Sequence, residues 1–467
     1  PRGQFIAGTG SWTPVNVTIG SGPPSTANVT LQDDVTFFSN QLVTTTGSFL
    51  NTGGKTLTLT GPMNSFGGRI TGTGLVRMQP VSGSPRLGTN LIVDPAVEIA
   101  SGTARVIGTI FNGKLTIASG AALSLLGAVE ANGDFENNGT LTVFSDGQMF
   151  NFKGGTFTNN GFITGNVAVN MGSFFGPPLV QNLAGTGSWA GSPRLLIDSL
   201  STTTLLNDLN YNGGNLFVQG RLNTGAFTLS LPCNVPWGGT GDVIGNIRRT
   251  NLAACPGAVF AFGNPFTTIQ FTSGIPPTDI TVNVGLSAPA GFPGATNRTY
   301  IITPTGGGPY TATLRLHYLD SELNGNAEST LQLWRNNGTN WTPQGVSNRN
   351  TTQNWVEYDN VTQFSPWTVS GPNAPTAASV AVGGRVTNSN GGGIRNAIVT
   401  LTAPNGSTRQ VRTGAFGYYR FEGVQAGETY IIGITAKRFT FGQPTIVIAV
   451  LDEVTGLDFT AEQLPSN

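Results

Sequence analysis

Carboxylates are the first place to look for chemistry in this sequence. Asp33-Asp34, Asp134 with Glu136, Asp146, Asp198 and Asp208 are spread through a first half rich in Asn-Gly and Gly-Gly pairs. A glycosidase needs two carboxyls poised across a cleft, and a lyase needs an acidic calcium cluster beside an Arg or Lys base. Asp134 and Glu136 would share a face if they lay in a strand; the others sit singly beside turn residues, where Asp serves as a turn former or solvated cap. The one histidine, His317, lies in Thr311-Ala312-Thr313-Leu314-Arg315-Leu316-His317-Tyr318. There Leu314, Leu316 and Tyr318 take one face and Arg315 and His317 the other, so His317 is expected to be exposed. A lone His with no adjacent nucleophile or acid makes neither a triad nor a His-based metal site. No catalytic residue and no resident metal or cofactor is assigned, and the chain reads as non-enzymatic.

Calcium is the one cation the sequence invites. Asp320, Glu322, Asn324, Asn326 and Glu328 place oxygen donors at alternate positions, with Gly325 sixth, like the start of a calcium loop. Position twelve is Leu331 where a bidentate acid is required, so the competing reading is a polar hairpin turn. Cys233 and Cys255, 22 residues apart in Pro-flanked loops, are expected to form one disulfide. Closing such a loop is worth about 3 kcal/mol and implies an oxidising compartment. Thr56, Thr58 and Thr60, or Thr202-Thr203-Thr204, could form a flat outward ladder, and Trp12 and Trp189, if exposed, could stack on sugars.

Stepping along the chain, residues 1–245 repeat short alternating apolar runs preceded by Asn-Gly or Gly-Gly. Asn112-Gly113 precedes Leu115-Thr116-Ile117, Asn138-Gly139 precedes Leu141-Thr142-Val143, and Asn160-Gly161 precedes Phe162-Ile163. Successive Asn are 26 and 22 residues apart, a period that predicts a parallel β-helix in which each coil covers the inner face of the next. Longer similarities point to diverged copies of a multi-coil unit: Gly8-Thr9-Gly10-Ser11-Trp12 returns at 185–189, Leu50-Asn51-Thr52-Gly53 at 222–225, and Gly83-Ser84-Pro85-Arg86-Leu87 at 191–195. A β-sandwich with loose repeats is the alternative.

From 246 to 370 the strands lengthen and Trp334, Trp341, Trp355 and Trp367 enter, at sandwich spacing. The segments Tyr318 to Gly325 and Leu331 to Trp334, then Trp341 and Phe364-Ser365-Pro366-Trp367, resemble a β-sandwich module recurring in bacterial surface proteins. Residues 371–379 have the Pro and small-residue content of a linker. The last stretch, 380–467, carries Val382-Gly383-Gly384-Arg385-Val386, Ile394 to Leu401, Gly417-Tyr418-Tyr419-Arg420-Phe421 and Val424 to Tyr430. It resembles the carboxypeptidase regulatory-like domain, a small transthyretin-like sandwich, which implies an accessory, adhesive or spacer module without catalysis. Its alternation is legible by itself: Ala397, Val399 and Leu401 face one side, Ile398, Thr400 and Thr402 the other.

The fold class expected is therefore all-β, a parallel β-helix followed by two Ig-like β-sandwich domains. With 23 basic and 23 acidic residues there is no net charge and no basic stripe for nucleic acid. No apolar run approaches the ~18 residues of a membrane helix; the longest candidates, such as Ile446 to Leu451, have strand length. Pro1-Arg2-Gly3 shows neither an initiator Met nor a signal pattern, so any leader is expected to have been removed. Lysine is confined to positions 55, 114, 153 and 437, which disfavours the isopeptide bonds of some surface sandwiches. The resulting expectation is an extracellular, cell-surface structural protein, a subunit of a bacterial filament, sheath or adhesin whose partners are copies of itself, head to tail, through a strand around Gln4-Phe5-Ile6-Ala7. The alternatives are a monomeric carbohydrate-binding adhesin and a β-helix polysaccharide-degrading enzyme. Cell-surface glycans are the other partner class.

Overall fold

The computed structural model describes residues 4–8, 11–12, 17–20, 27–37, 42–61, 63–80, 86–88, 90–172, 176–372, 379–404 and 406–462. They are almost wholly β, with three single-turn 3-10 helices and no α-helix among them. Two compact units are present. The first takes residues 1–369 except the loops 288–295 and 324–330, which group with residues 370–467 in the second.

In the first unit the chain winds as a parallel β-helix. Each coil lays one strand into each of three parallel sheets. The first sheet has twelve strands, from Gln4–Ile6 to Trp237–Gly238; the third has nine, from Val17–Ile19 to Ser188–Gly191; the second begins at Ser11–Trp12. Strands are mostly two to five residues long because Gly and Asn corners interrupt the alternation before it can extend. Within them every second side chain points inward. In the second sheet one inward column runs Val35, Leu57, Val76, Val97, Leu115, Phe135, Phe157, Leu183, Leu205, each paired in register with the next. All nine are buried. Each such side chain contributes about 1.5–3 kcal/mol of burial, which no isolated coil could collect.

Two glycine ladders mark the corners. A Cβ on Gly133 would lie 2.4 Å from the Gly113 carbonyl oxygen and one on Gly154 2.2 Å from that of Gly133. A second ladder runs Gly139, Gly161, Gly187, with equivalent approaches of 2.1 and 2.4 Å. Asparagines stack beside them: Asn132 Nδ2 donates to Asn112 Oδ1, Asn160 Nδ2 to Asn138 Oδ1, and the buried Asn137 Nδ2 to Asn159 Oδ1 at 2.7 Å. Asn112-Gly113 and Asn138-Gly139 thus belong to different corners, and the 26-residue spacing between them is not a coil. The longer repeats are likewise out of phase. Ser11–Trp12 lies in the second sheet but Ser188–Gly191 in the third; Phe49–Asn51 lies in the first but Arg221–Pro232 in the second; Arg86–Leu87 lies in the third but Arg194–Ile197 in the first. Each motif returns one face further round, so the similarities are of strand-plus-corner segments and not of a multi-coil unit.

The β-helix runs directly into a sandwich. Strand Asp242–Thr250 pairs in parallel with Arg221–Pro232 on one side and antiparallel with Asp279–Gly285 on the other. Thr299–Thr305 and Pro366–Ser370 extend that sheet. Facing it is a five-stranded sheet ordered Val259–Ala261, Thr268–Gly274, Tyr310–His317, Trp355–Val361, Asn348–Asn350. One continuous hydrophobic core extends from Ile19 to Val369.

The second unit is a sandwich of two four-stranded sheets. One is ordered Tyr418–Gln425, Ser379–Thr387, Phe459–Glu462, Thr440–Phe441; the other Thr408–Arg412, Ile398–Thr402, Glu428–Thr435, Thr445–Val450. Ala397, Val399 and Leu401 are buried against Val386, Phe421, Ile432 and Val450, as the alternation requires.

Candidate functional site

Several acidic residues of the β-helix hold coils together, whereas Asp146 lies on the surface and Asp198 keeps one buried carboxyl oxygen without a partner. Asp34 Oδ1 accepts the backbone N–H of Thr56, Asp134 Oδ1 that of Thr156, and Asp208 Oδ1 that of Thr228, each one coil further on, at 2.7 to 2.9 Å. Asp33 accepts the N–H of Gly8, and Asp198 caps Ser199. Glu136 pairs with Lys114 at 2.6 Å and accepts from Asn138. Those two hydrogen bonds, Lys114 first, hold its carboxyl below the usual range. Lys153 pairs with Glu130. Asp134 does not share a site with Glu136: one caps a strand and the other faces a lysine. Among the described residues no three His, Cys, Asp or Glu side chains are grouped closely enough to hold a metal ion.

The densest ionic cluster lies in the sandwich and has no counterpart in the sequence motifs. Arg298, 2 % exposed, donates through Nε and Nη2 to Glu322 at 2.7 and 2.9 Å and through Nη2 to Asp242 at 2.7 Å. Asn264 Nδ2 donates to Asp242 Oδ1, and the Leu319 N–H donates to Glu322. Burial works against the charge of Arg298, yet the carboxylates of Glu322 and Asp242 outweigh it and keep the guanidinium protonated. Both carboxylates are consumed by one arginine, so the cluster locks strand Asp242–Thr250 to the sandwich and leaves no free acid or base. Its members lie 56 and 24 residues apart from Arg298, and no local pattern announces them.

His317 is buried, which corrects the exposed position expected from alternation. Its ring is 5.8 Å from that of Phe266, and Nδ1 bonds the Asn354 carbonyl. It sits at the end of its strand, where the pairing Tyr318 N–H to Asn354 oxygen closes the sheet over it. Burial pushes its pKa down, favouring the neutral ring. Tyr300 Oη donates to the His317 carbonyl beside it. Trp189 is also buried, 1 % exposed and stacked at 6.2 Å on Phe157, and so offers no sugar platform. The Trp12 side chain is outside the described residues. Of the threonine rows, Thr60, whose hydroxyl donates to the Phe37 carbonyl, and Thr203 are buried, which breaks the outward ladder.

The five oxygen-bearing residues from Asp320 to Glu328 each have their own engagement. Asp320 accepts from Asn354, Glu322 is the partner of Arg298, and Asn324 Nδ2 donates to the Pro293 and Ala295 carbonyls. Asn326 Nδ2 donates to the Gly294 carbonyl, and Glu328 opens the 3-10 turn Glu328–Thr330. Cys233 and Cys255 form a disulfide, their Cα atoms 6.0 Å apart, beside the strand that joins β-helix to sandwich. The guanidinium of Arg249 lies close by, donating to the carbonyls of Pro232, Val235 and Ala261; burial lowers its pKa to about 10.

Strand edges are left open as well. Gln4–Ile6 begins the twelve-stranded sheet and, among the described residues, pairs only with Asn28–Leu31. Gln4, Phe5 and Ala7 are exposed, Phe5 at 63 %. Val17–Ile19 begins the third sheet, its other side likewise without a partner strand among the described residues. In the second unit Thr445–Val450 ends its sheet, paired among the described residues only with Glu428–Thr435.

Comparison with known proteins adds the following. Two staphylococcal proteins are 54 % identical to this chain over 37 residues: the bone sialoprotein-binding protein of Staphylococcus aureus strain MRSA252 and the serine-aspartate repeat-containing protein E of strain MSSA476. That stretch is 8 % of this chain, and the chain spans 3 % of the length of those relatives. A solved bacterial adhesin from Mobiluncus mulieris, described as containing disulfide, isopeptide and ester cross-links, covers 35 % of this chain and 90 % of its own. Its identity is 10 % and its TM-score 0.15, a likeness that carries no weight for fold or function. Residues 381–462 match the carboxypeptidase regulatory-like domain, and the two four-stranded sheets of the second unit are the body of that match. The chain is thus all-β, a β-helix and sandwich followed by a carboxypeptidase regulatory-like domain.

Proposed function

We propose that this chain is a non-enzymatic, extracellular structural protein of a bacterial cell surface, a subunit of a filament, sheath or adhesin that assembles head to tail through strand edges. The observation that supports this reading is a one-sided strand: among the described residues Gln4–Ile6 pairs only with Asn28–Leu31 and exposes Phe5, and a strand edge in that state can template pairing with another chain. The engagement of Asp34, Asp134, Asp208 and Glu136 in caps and an ion pair supports a structural over a hydrolytic role. The surface-protein relatives, matched over a short stretch, favour the same setting.

A second reading, a monomeric glycan-binding adhesin, is favoured by a cleft where the third sheet stops. Thr186, Ser188, Asn210, Asn212 and Ser230 line it with neutral hydroxyl and amide groups, and Arg248, paired with Asp279, adds one charged side chain. Negative-stain electron microscopy of the native material separates the two. Regular filaments that disappear when Gln4–Ala7 is deleted support the head-to-tail reading. Single particles at all concentrations overturn it and move the weight to the cleft, which a glycan array then tests.

A further inference from the structure

We infer that the edge strand Thr445–Val450 is a pairing surface for a second copy of this chain, the two strands adding antiparallel to form one continuous eight-stranded sheet. This contact joins like ends and goes beyond the head-to-tail reading.

The strand reads Thr-Ile-Val-Ile-Ala-Val and continues into Leu451, without charge or proline. Such six- to seven-residue segments, β-branched and uncharged, pair readily when open. Natural edges are protected by being short, charged or interrupted by proline. Gln4–Ile6, the edge proposed above for head-to-tail pairing, is uncharged but only three residues long; the other terminal strands of the open sheets are protected in those ways. Val17–Ile19, Val259–Ala261, Asn348–Asn350, Ser188–Gly191, Trp237–Gly238 and Thr440–Phe441 have two to four residues, Thr408–Arg412 carries two arginines, and Tyr418–Gln425 carries Arg420 and Glu422.

Main-chain geometry says which groups are open. Ile434 N–H donates to the Pro444 carbonyl, and the register pairs Ile432 with Ile446, Tyr430 with Ile448 and Glu428 with Val450. In an antiparallel ladder the alternate residues Thr445, Val447 and Ala449 then direct their N–H and C=O groups away from the sheet, and no strand accepts them among the described residues. Their side chains are exposed too, Val447 at 67 %, beside Ile431 at 46 % and Leu451 at 76 %. An apolar face therefore borders an open ladder.

The occupant follows by elimination. A pairing strand must be long enough to use all three open residues and must bring no charge or proline to the apolar border. Among the edge strands that a second copy offers, only Thr445–Val450 itself meets both conditions. A two-fold axis through Val447 sets Val447 opposite its own copy and Thr445 opposite Ala449, so every directly opposed pair is uncharged.

The test uses the full chain. Both native cysteines are in the disulfide, so a single introduced cysteine is the one free thiol. Thr445→Cys, Val447→Cys and Ala449→Cys, oxidised singly, are expected to give a covalent dimer for at least one position, with Gly391→Cys on an exposed turn of the same unit giving none. Sedimentation of the unmodified chain should show a monomer–dimer equilibrium. Ala449→Pro removes an N–H that bonds nothing within the unit, and Val447→Lys sets two like charges together at the axis. Each should weaken dimerisation by about tenfold or more without changing the circular dichroism spectrum. An unmodified chain that stays monomeric up to its solubility limit overturns the inference, as does a dimer unaffected by both substitutions. Deleting Gln4–Ala7 should leave this dimer intact, so its failure and that of the head-to-tail reading are distinguishable.

Discussion

Phe157 occupies the middle of the inward column of the β-helix, and Phe157→Ala is the sharpest probe of the stack. The ring is fully buried and meets four others: Phe135 at 4.7 Å, Phe152 at 5.5 Å, Phe150 at 6.1 Å and Trp189 at 6.2 Å. Truncating a buried Phe costs about 3–5 kcal/mol, and loss of aromatic contacts worth ~0.5–1.5 kcal/mol apiece places this site at the upper end. For a unit of this size that is a fall in midpoint of roughly 4–7 °C. The control is Phe162→Ala, five residues on, where the ring is 56 % exposed and the cost should stay within about 0.5 kcal/mol. Urea unfolding followed by tryptophan fluorescence reads both, because Trp189 stacks on the missing ring. Hydrogen exchange should rise first in the flanking strands Phe135–Asn137 and Leu179–Ala184, since coils couple to nearest neighbours. Equal costs at the two positions, or a Phe157→Ala cost under about 1 kcal/mol, would refute the inward column and with it the coil register.

Glu322→Ala, which leaves Arg298 with one carboxylate, should destabilise the sandwich by about 3–5 kcal/mol, measured by calorimetry of the full chain, whereas replacing Asp242, Arg298 and Glu322 together by apolar residues should cost much less. Acid should loosen the β-helix through Asp94. Burial works to raise its pKa, but hydrogen bonds from Arg69 and Asn112 prevail and hold it below the ordinary value. The stabilisation is then complete above the unfolded-state value of about 4 and is lost as pH falls through the lower folded one. Asp94→Asn should flatten the dependence of the melting midpoint on pH across that acid range.

Much of this architecture is legible in the chain itself. Asn-Gly corners and period-two alternation specify strands with one buried face, and Ala397, Val399 and Leu401 fall on the core side as alternation demands. Phase is harder to read, because a strand-plus-corner segment fits any of the three faces. Asn112 therefore stacks on Asn132 and not on the corner of Asn138. Alternation also misplaces His317, since the end of a strand can be covered by a loop from elsewhere, here through Asn354. The Arg298 cluster draws on three distant segments, and only the rarity of charge in this chain singles its members out. The run Ile446 to Leu451 is visible as apolar, but that its strand closes a sheet is a property of topology.

Strand Asp242–Thr250 gives the first unit a mechanical character. It is laced to Arg221–Pro232 on one side and to Asp279–Gly285 on the other, with the Cys233–Cys255 bond beside it. A tensile load crossing from β-helix to sandwich meets no hinge there. It is shared across two ladders whose hydrogen bonds lie transverse to the strand and must shear together, while the disulfide sets a limit on how far the chain can pay out. A joint of that kind passes force onward as a stiff splice does, and yields later than a flexible linker in the same place.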